Sequence, residues 1–208
     1  LEVYGDNILG GRQAIPEMLH LFKTYEIHAT WAAVGMLSFE TKEDLKKHVP
    51  ESKPTYTNEK RCAYKHVDEI GENEEEDPYH YGLSLIGKVM ETPHQELASH
   101  TFSHFYCLEE GQTIQQFESD LKEDIRVKES LGVTIHSIVF PRNQMSLHYL
   151  NSCKKMGIRC YRGNEQSWFY RAESVKHKQS NLKRALRLLD AYLNISGHNT
   201  YPMEYVKT

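Results

Sequence analysis

The chain has 208 residues, 39% hydrophobic and 26% charged, a balance ordinary for a globular domain with enough length to bury a core. Its net charge of −4 supplies no basic field for nucleic acid. No apolar run approaches the roughly 20 residues a membrane-spanning helix needs. The opening Leu1-Glu2-Val3-Tyr4 has neither the basic start nor the apolar stretch of a secretory leader. The four cysteines, Cys62, Cys107, Cys153 and Cys160, show no CxxC spacing. They are expected to be mostly buried thiols in a reducing, cytoplasmic setting rather than a disulfide framework or a metal site.

Along the chain, Ile15, Met18, Leu19 and Phe22 fall at helical spacing and predict a helix over residues 13–25, with Pro16 in its first turn. A short apolar run, residues 29–34, predicts a buried strand closed by Gly35. Thr41 then reads as the N-cap of a short polar helix reaching about His48, with Asp44 three residues on. Residues 50–81 lose periodicity, contain Pro50, Pro54 and Pro78, and turn acidic from Glu72 to Asp77. They read as a solvated surface insertion. A helix over residues 83–90 follows, then a strand at residues 95–99 running into His100. Thr113 caps a long helix with Ile114, Phe117, Leu121, Ile125 and Leu131 on one face, ended by Gly132.

Residues 137–140 form the next expected strand and lead into Pro141-Arg142-Asn143. A helix over residues 147–156 ends at Gly157, and residues 158–161 read as a further strand. Residues 178–193 predict a basic amphipathic helix with a core-facing stripe of Leu182, Leu186 and Leu189. Alternating helices and strands, with connections long enough for crossovers, predict a parallel α/β architecture. Chemistry in such folds collects where strands end, and Glu2, His100 and Arg142 all sit at predicted strand ends.

The strongest local signal is Ser99-His100-Thr101-Phe102-Ser103-His104. Histidines four apart share a face if the backbone turns helically after the strand, and imidazole suits zinc and similar divalent metals. Spacing alone also fits two surface or hydrogen-bonded core histidines among the twelve in the chain.

The segment His100-Thr101-Phe102-Ser103-His104 resembles the H(S/T)xxH metal motif of the polysaccharide deacetylases, the NodB-homology, carbohydrate esterase family 4-like group. The approach to it, Gln95-Glu96-Leu97-Ala98-Ser99, is similar to that family's as well. So is the upstream helix and strand from Ile15 through Tyr25-Glu26-Ile27-His28-Ala29-Thr30-Trp31 to Gly35. The likeness covers residues 14–161. It implies a distorted parallel (β/α) barrel forming one catalytic domain over residues 1–208, with parts of barrel and site outside both ends. It also implies a zinc or other divalent ion and hydrolysis of the N-acetyl group of a glycan.

On that resemblance His100 and His104 inherit two metal-ligand roles. Glu2 falls where the second acid of an acid-x-acid motif would stand and becomes the expected third ligand, with Asp6 as the alternative acid. A frayed terminal side chain is the plain alternative for Glu2. Phe140-Pro141-Arg142 occupies the place of the family's Arg-Pro motif in altered order, so Arg142 is expected to orient a catalytic carboxylate, or to be a turn arginine. His198 is the one C-terminal candidate for proton donor, although a loop histidine making structural hydrogen bonds is the favoured reading of it. Trp168-Phe169-Tyr170 could stack on a sugar or anchor a loop. Competing functions are a cyclic amide or imide hydrolase of the same fold and a non-catalytic glycan-binding domain with a decayed site.

Overall fold

The computed structural model describes residues 5–163, 167–171 and 181–197. Its elements in chain order are α1 (Gly5–Thr24), β1 (Ala29–Ala33), α2 (Lys42–Lys47), α3 (Leu83–Glu91), β2 (Gln95–Ser99), α4 (Ile114–Ser130), β3 (Ser137–Ile138), α5 (Leu147–Lys155), β4 (Cys160–Tyr161) and α6 (Asn181–Leu193). The four strands form one parallel sheet in the order β1-β2-β3-β4. The described strands do not close among themselves into the expected barrel, and Val3, expected in a further strand, lies outside the described residues. No helix among the described residues is long and apolar enough to cross a membrane.

Local chemistry accounts for most boundaries. Thr41 accepts a hydrogen bond from the Asp44 N–H at the start of α2. Thr113 and Gln116 form a reciprocal capping box on α4. Gly132 takes φ +83 just past the end of α4, a conformation that would strain a side-chain-bearing residue. Pro16 is a departure from expectation: α1 begins at Gly5, so Pro16 lies mid-helix, where its missing N–H leaves the carbonyl one turn back without its helical donor.

Parallel pairing aligns Ala33 with Ser99, Ser99 with Ile138 and Ile138 with Tyr161. The C-terminal strand ends therefore stand in one row, and the segments after them share one edge. Leu97, Ala98 and Ser99 of β2 are all buried, as befits a strand covered on both faces. Two apolar clusters flank it. One gathers Phe105, Phe117, Leu121, Ile138, Phe140, Tyr149 and Cys153 between α4, α5 and the sheet. The other is built around Phe102 and contains Tyr56, Cys62, Tyr64, Val67, Ile70 and Tyr81.

That second cluster corrects the reading of residues 50–81 as a solvated insertion. Many of its residues are exposed, but Tyr56, Cys62, Tyr64, Val67, Ile70 and Tyr81, spaced along it, are buried and close the core over Phe102. Arg12 of α1 secures the same segment by donating to the carbonyls of Tyr81 at 2.7 Å and Pro78 at 3.2 Å and pairing with Glu74. A second correction concerns α6. Leu182 is 60% and Leu189 47% exposed and only Leu186 is half-buried, so the expected stripe faces largely outward. The helix docks by its polar side: Asp190 accepts from the Tyr170 hydroxyl at 2.8 Å, and Arg187 Nε donates to the Phe169 carbonyl at 2.7 Å. The cysteines behave as expected, all four free, with Cys62, Cys107 and Cys153 buried.

Gly35 is where β1 meets the loop that follows β2. Its N–H donates to the Thr101 carbonyl at 3.0 Å, and a Cβ there would stand 2.5 Å from Asp124 Oδ1 and 2.6 Å from Phe102 Cδ2. Gly35→Ala is expected to destabilise the fold by roughly 1–3 kcal/mol through overpacking, read as a lower midpoint in urea at unchanged m-value. An unchanged midpoint would show that this junction is loosely packed.

Candidate active site

The candidate site is the loop after β2, residues 100–106. It is not a helical turn, as the four-residue spacing of the histidines had suggested. Thr101 and His104 both take left-handed backbone angles, φ 61 and φ 60, and the two reversals bring the rings together with centroids 4.9 Å apart. Left-handed conformations strain residues other than glycine, most of all a β-branched threonine, at about 1–3 kcal/mol each.

Bonds from the surrounding core hold that strained shape. The Ser99 hydroxyl accepts from Thr101 N at 3.0 Å, and Thr101 Oγ1 accepts from Phe105 N at 2.7 Å. Asp120 of α4 is fully buried and accepts from four donors: Phe102 N at 2.8 Å, Ser103 N at 3.2 Å, the Tyr64 hydroxyl at 2.7 Å and the Ser103 hydroxyl. Burial pushes its carboxyl up to about 6, with the four donors pulling the other way. One turn on, buried Asp124 accepts from the Ser99 hydroxyl and pairs with Lys128, whose amine also donates to the Ala33 carbonyl at 2.8 Å. Burial raises the Asp124 carboxyl and lowers the Lys128 amine, while their mutual attraction opposes both shifts. Phe102 and Phe105 anchor the loop in the two apolar clusters, each fully buried.

The imidazoles of His100 and His104, flanking these anchors, are half-buried. His100 Nδ1 lies 2.7 Å from the Val139 carbonyl, which can only accept, so Nδ1 carries the proton and Nε2 is left with its lone pair. Burial lowers the His100 imidazole and takes His104 down to about 4, with His100 and Arg142 adding to the depression of His104. Both rings are therefore neutral near pH 7.

Arg142 follows β3 and reaches the same edge. Its guanidinium stands 5.4 Å from the Tyr106 ring centroid, and Tyr106 meets the His104 ring edge-on at 5.1 Å. Its own backbone is left-handed, φ 54 and ψ 22, within the short turn Pro141–Asn143. The structure thus brings His100, His104 and Arg142 together. Glu2 and His198 lie outside the described residues, and Asp6 is exposed in the first turn of α1. Among the described residues, no group of three or more His, Cys, Asp or Glu side chains could hold a metal ion.

Residues missing from the sequence reading are Asp120, Asp124 and Lys128, which support the loop, and Arg61 and Tyr106, which border it. Lys128 and Asp124 stand at i,i+4 spacing, the signature of an exposed helix pair. Arg61 belongs to the passage taken as solvated.

No family model and no curated protein matches the chain. Among solved structures it is similar to BA3943 of Bacillus anthracis, described as a CE4 family pseudoenzyme, at 11% identity over 74% of this chain and 40% of that one, TM-score 0.47. A BA3943 mutant of the same description aligns at 11% identity over 73% and 40%, TM-score 0.47. Another mutant, described as having restored enzymatic activity, aligns at 12% identity over 73% and 40%, TM-score 0.42. The chain spans 40% of the length of these structures.

Replacing Asp120 by Ala strands the N–H groups of Phe102 and Ser103, at about 1–3 kcal/mol for each buried donor. The expected loss is roughly 2–6 kcal/mol in urea unfolding, whereas Tyr64→Phe, which removes one hydroxyl, should lose only about 1 kcal/mol. Equal small losses from both variants would mean that the loop does not lean on Asp120.

Proposed function

We propose that the chain is part of a metal-dependent N-deacetylase acting on an N-acetylated saccharide, its sheet continuing into a distorted (β/α) barrel. The observation that carries this reading is the hydrogen bond from His100 Nδ1 to the Val139 carbonyl beside the neutral ring of His104. A metal-binding histidine characteristically donates its other ring N–H to a carbonyl or carboxylate, which fixes tautomer and orientation. Two neutral imidazoles converging at a strand end fit zinc or another divalent ion as two of its ligands. Glu2 is the proposed third.

When bound, such an ion polarises an acyl carbonyl and acidifies a water. The protein's own contribution is positional. His100 and His104 present lone pairs without protons competing for them. Arg142 is proposed to orient a general-base carboxylate contributed from outside the described residues, and Tyr106 forms the adjoining wall. His198 is the proposed donor to the leaving nitrogen.

A second reading, a non-catalytic saccharide-binding domain, is favoured by the lack of a third metal-binding side chain among the described residues. One experiment separates the two. Protein from the complete reading frame should carry about one divalent ion per chain. It should also release acetate from N-acetylated glycans, and His100→Ala with His104→Ala should abolish both. Metal without acetate release across a broad glycan panel, with saccharide binding retained, selects the binding-domain reading. Stoichiometric metal in the double variant removes His100 and His104 as ligands and sinks the deacetylase assignment.

A further inference from the structure

We propose that Arg61 forms an anion subsite of this site, selecting N-acylated saccharides that carry a carboxylate or phosphate near the acyl group. This rests on the deacetylase reading for the acyl group, not for the anion. Arg61 ends a short 3-10 turn, Glu59–Arg61, within the passage that closes the core over Phe102. Its guanidinium stands 5.9 Å from the centroid of the Tyr106 ring, the ring that also meets His104 and Arg142. Its Nε is buried without a hydrogen-bond partner, and no ion pair among the described residues engages it. Its neighbours in sequence behave differently: Glu59 pairs with Lys65 at the surface.

A guanidinium normally reaches water or an acceptor, and a buried donor with neither is unfavourable. Intramolecular hydrogen bonding therefore leaves the Nε of Arg61 unaccounted for. Arg142 does not compete for the role, since the proposed mechanism commits it to the base carboxylate. Arg61 and Arg142 set two guanidiniums about the Tyr106 ring, and a planar guanidinium is suited to gripping a carboxylate or phosphate with two parallel bonds.

The test is calorimetric, using the complete protein and three matched oligosaccharides. One contains only N-acetylhexosamine, one has a uronic acid neighbour, and one bears a phosphate monoester. At low salt at least one anionic ligand should bind about tenfold tighter than the neutral one, and added salt should erode the preference. Whichever of the two wins identifies the anion. Arg61→Gln should bring the preference below about twofold, and Arg61→Lys, which keeps charge but loses the fork, should fall between. If Arg61→Gln fails to fold, the wild-type salt dependence and the Lys variant decide. No anionic preference in the wild type, or one undiminished in folded Arg61→Gln, overturns the inference. Acetate release from the neutral oligomer with no anionic preference would leave the deacetylase reading standing alone. An Arg61-dependent preference without acetate release would leave only the anion site.

Discussion

Asp120, Asp124 and Lys128 occupy successive turns of one face of α4, all three fully buried, and each grips a different part of the molecule. Asp120 holds the backbone of Phe102 and Ser103, Asp124 holds the Ser99 hydroxyl, and Lys128 reaches across to the last carbonyl of β1. Burying charges is expensive, and a well-packed apolar replacement for a buried ion pair is often neutral or better for stability. An apolar face on α4 would still leave buried N–H groups of the loop without acceptors. The charges are there because the loop's backbone is polar and irregular. Two left-handed residues within five positions make its shape unreachable by regular secondary structure.

The same fact explains how far the sequence could be read. Helices and strands whose ends carry local chemistry were legible: Thr41 and Thr113 cap where expected, β2 spans the residues anticipated, and Gly132 closes α4. His100, His104 and Arg142 were legible as neighbours because parallel pairing puts the ends of β2 and β3 on one edge. The manner in which the histidines meet was not. Periodicity describes regular backbone, and this contact depends on two residues that leave it. Asp124 and Lys128 were equally hidden, since their spacing is that of a solvent-facing pair and only the fold shows them enclosed.

Two larger misreadings share a different cause. In residues 50–81 the buried apolar residues, Tyr56, Cys62, Tyr64, Val67, Ile70 and Tyr81, are scattered among exposed polar ones and three of them are tyrosines, so they form no continuous stripe. Tyr56, Tyr64 and Tyr81 also engage polar partners: the Tyr106 N–H, Asp120 and the Gly71 carbonyl. Low periodicity and acidic composition concealed a lid over half the core. In α6 the stripe is present, yet Asp190 and Arg187 find partners on Tyr170 and Phe169, and the helix docks by those groups instead. An amphipathic pattern shows which face is apolar, but what that face meets depends on the rest of the assembly.

The loop's irregularity also bears on the chemistry. On a regular helix, histidines four apart would share a face, but the first would be carried away from the sheet by the turning backbone. Here His100 remains in register with the strands. Its N–H donates to the Ala33 carbonyl at 3.2 Å, and its ring N–H donates to Val139 on the other side. One residue is thus fixed by the segments ending both neighbouring strands, and its remaining ring nitrogen is aimed by the sheet itself. Only after that orientation is secured does the chain reverse at Thr101 and again at His104 to return the second ring. A loop strained in this way, with its first histidine sewn into the sheet, holds one ring nitrogen more rigidly than a free helical turn could. That rigidity is what a binding site for a small, directional ligand requires.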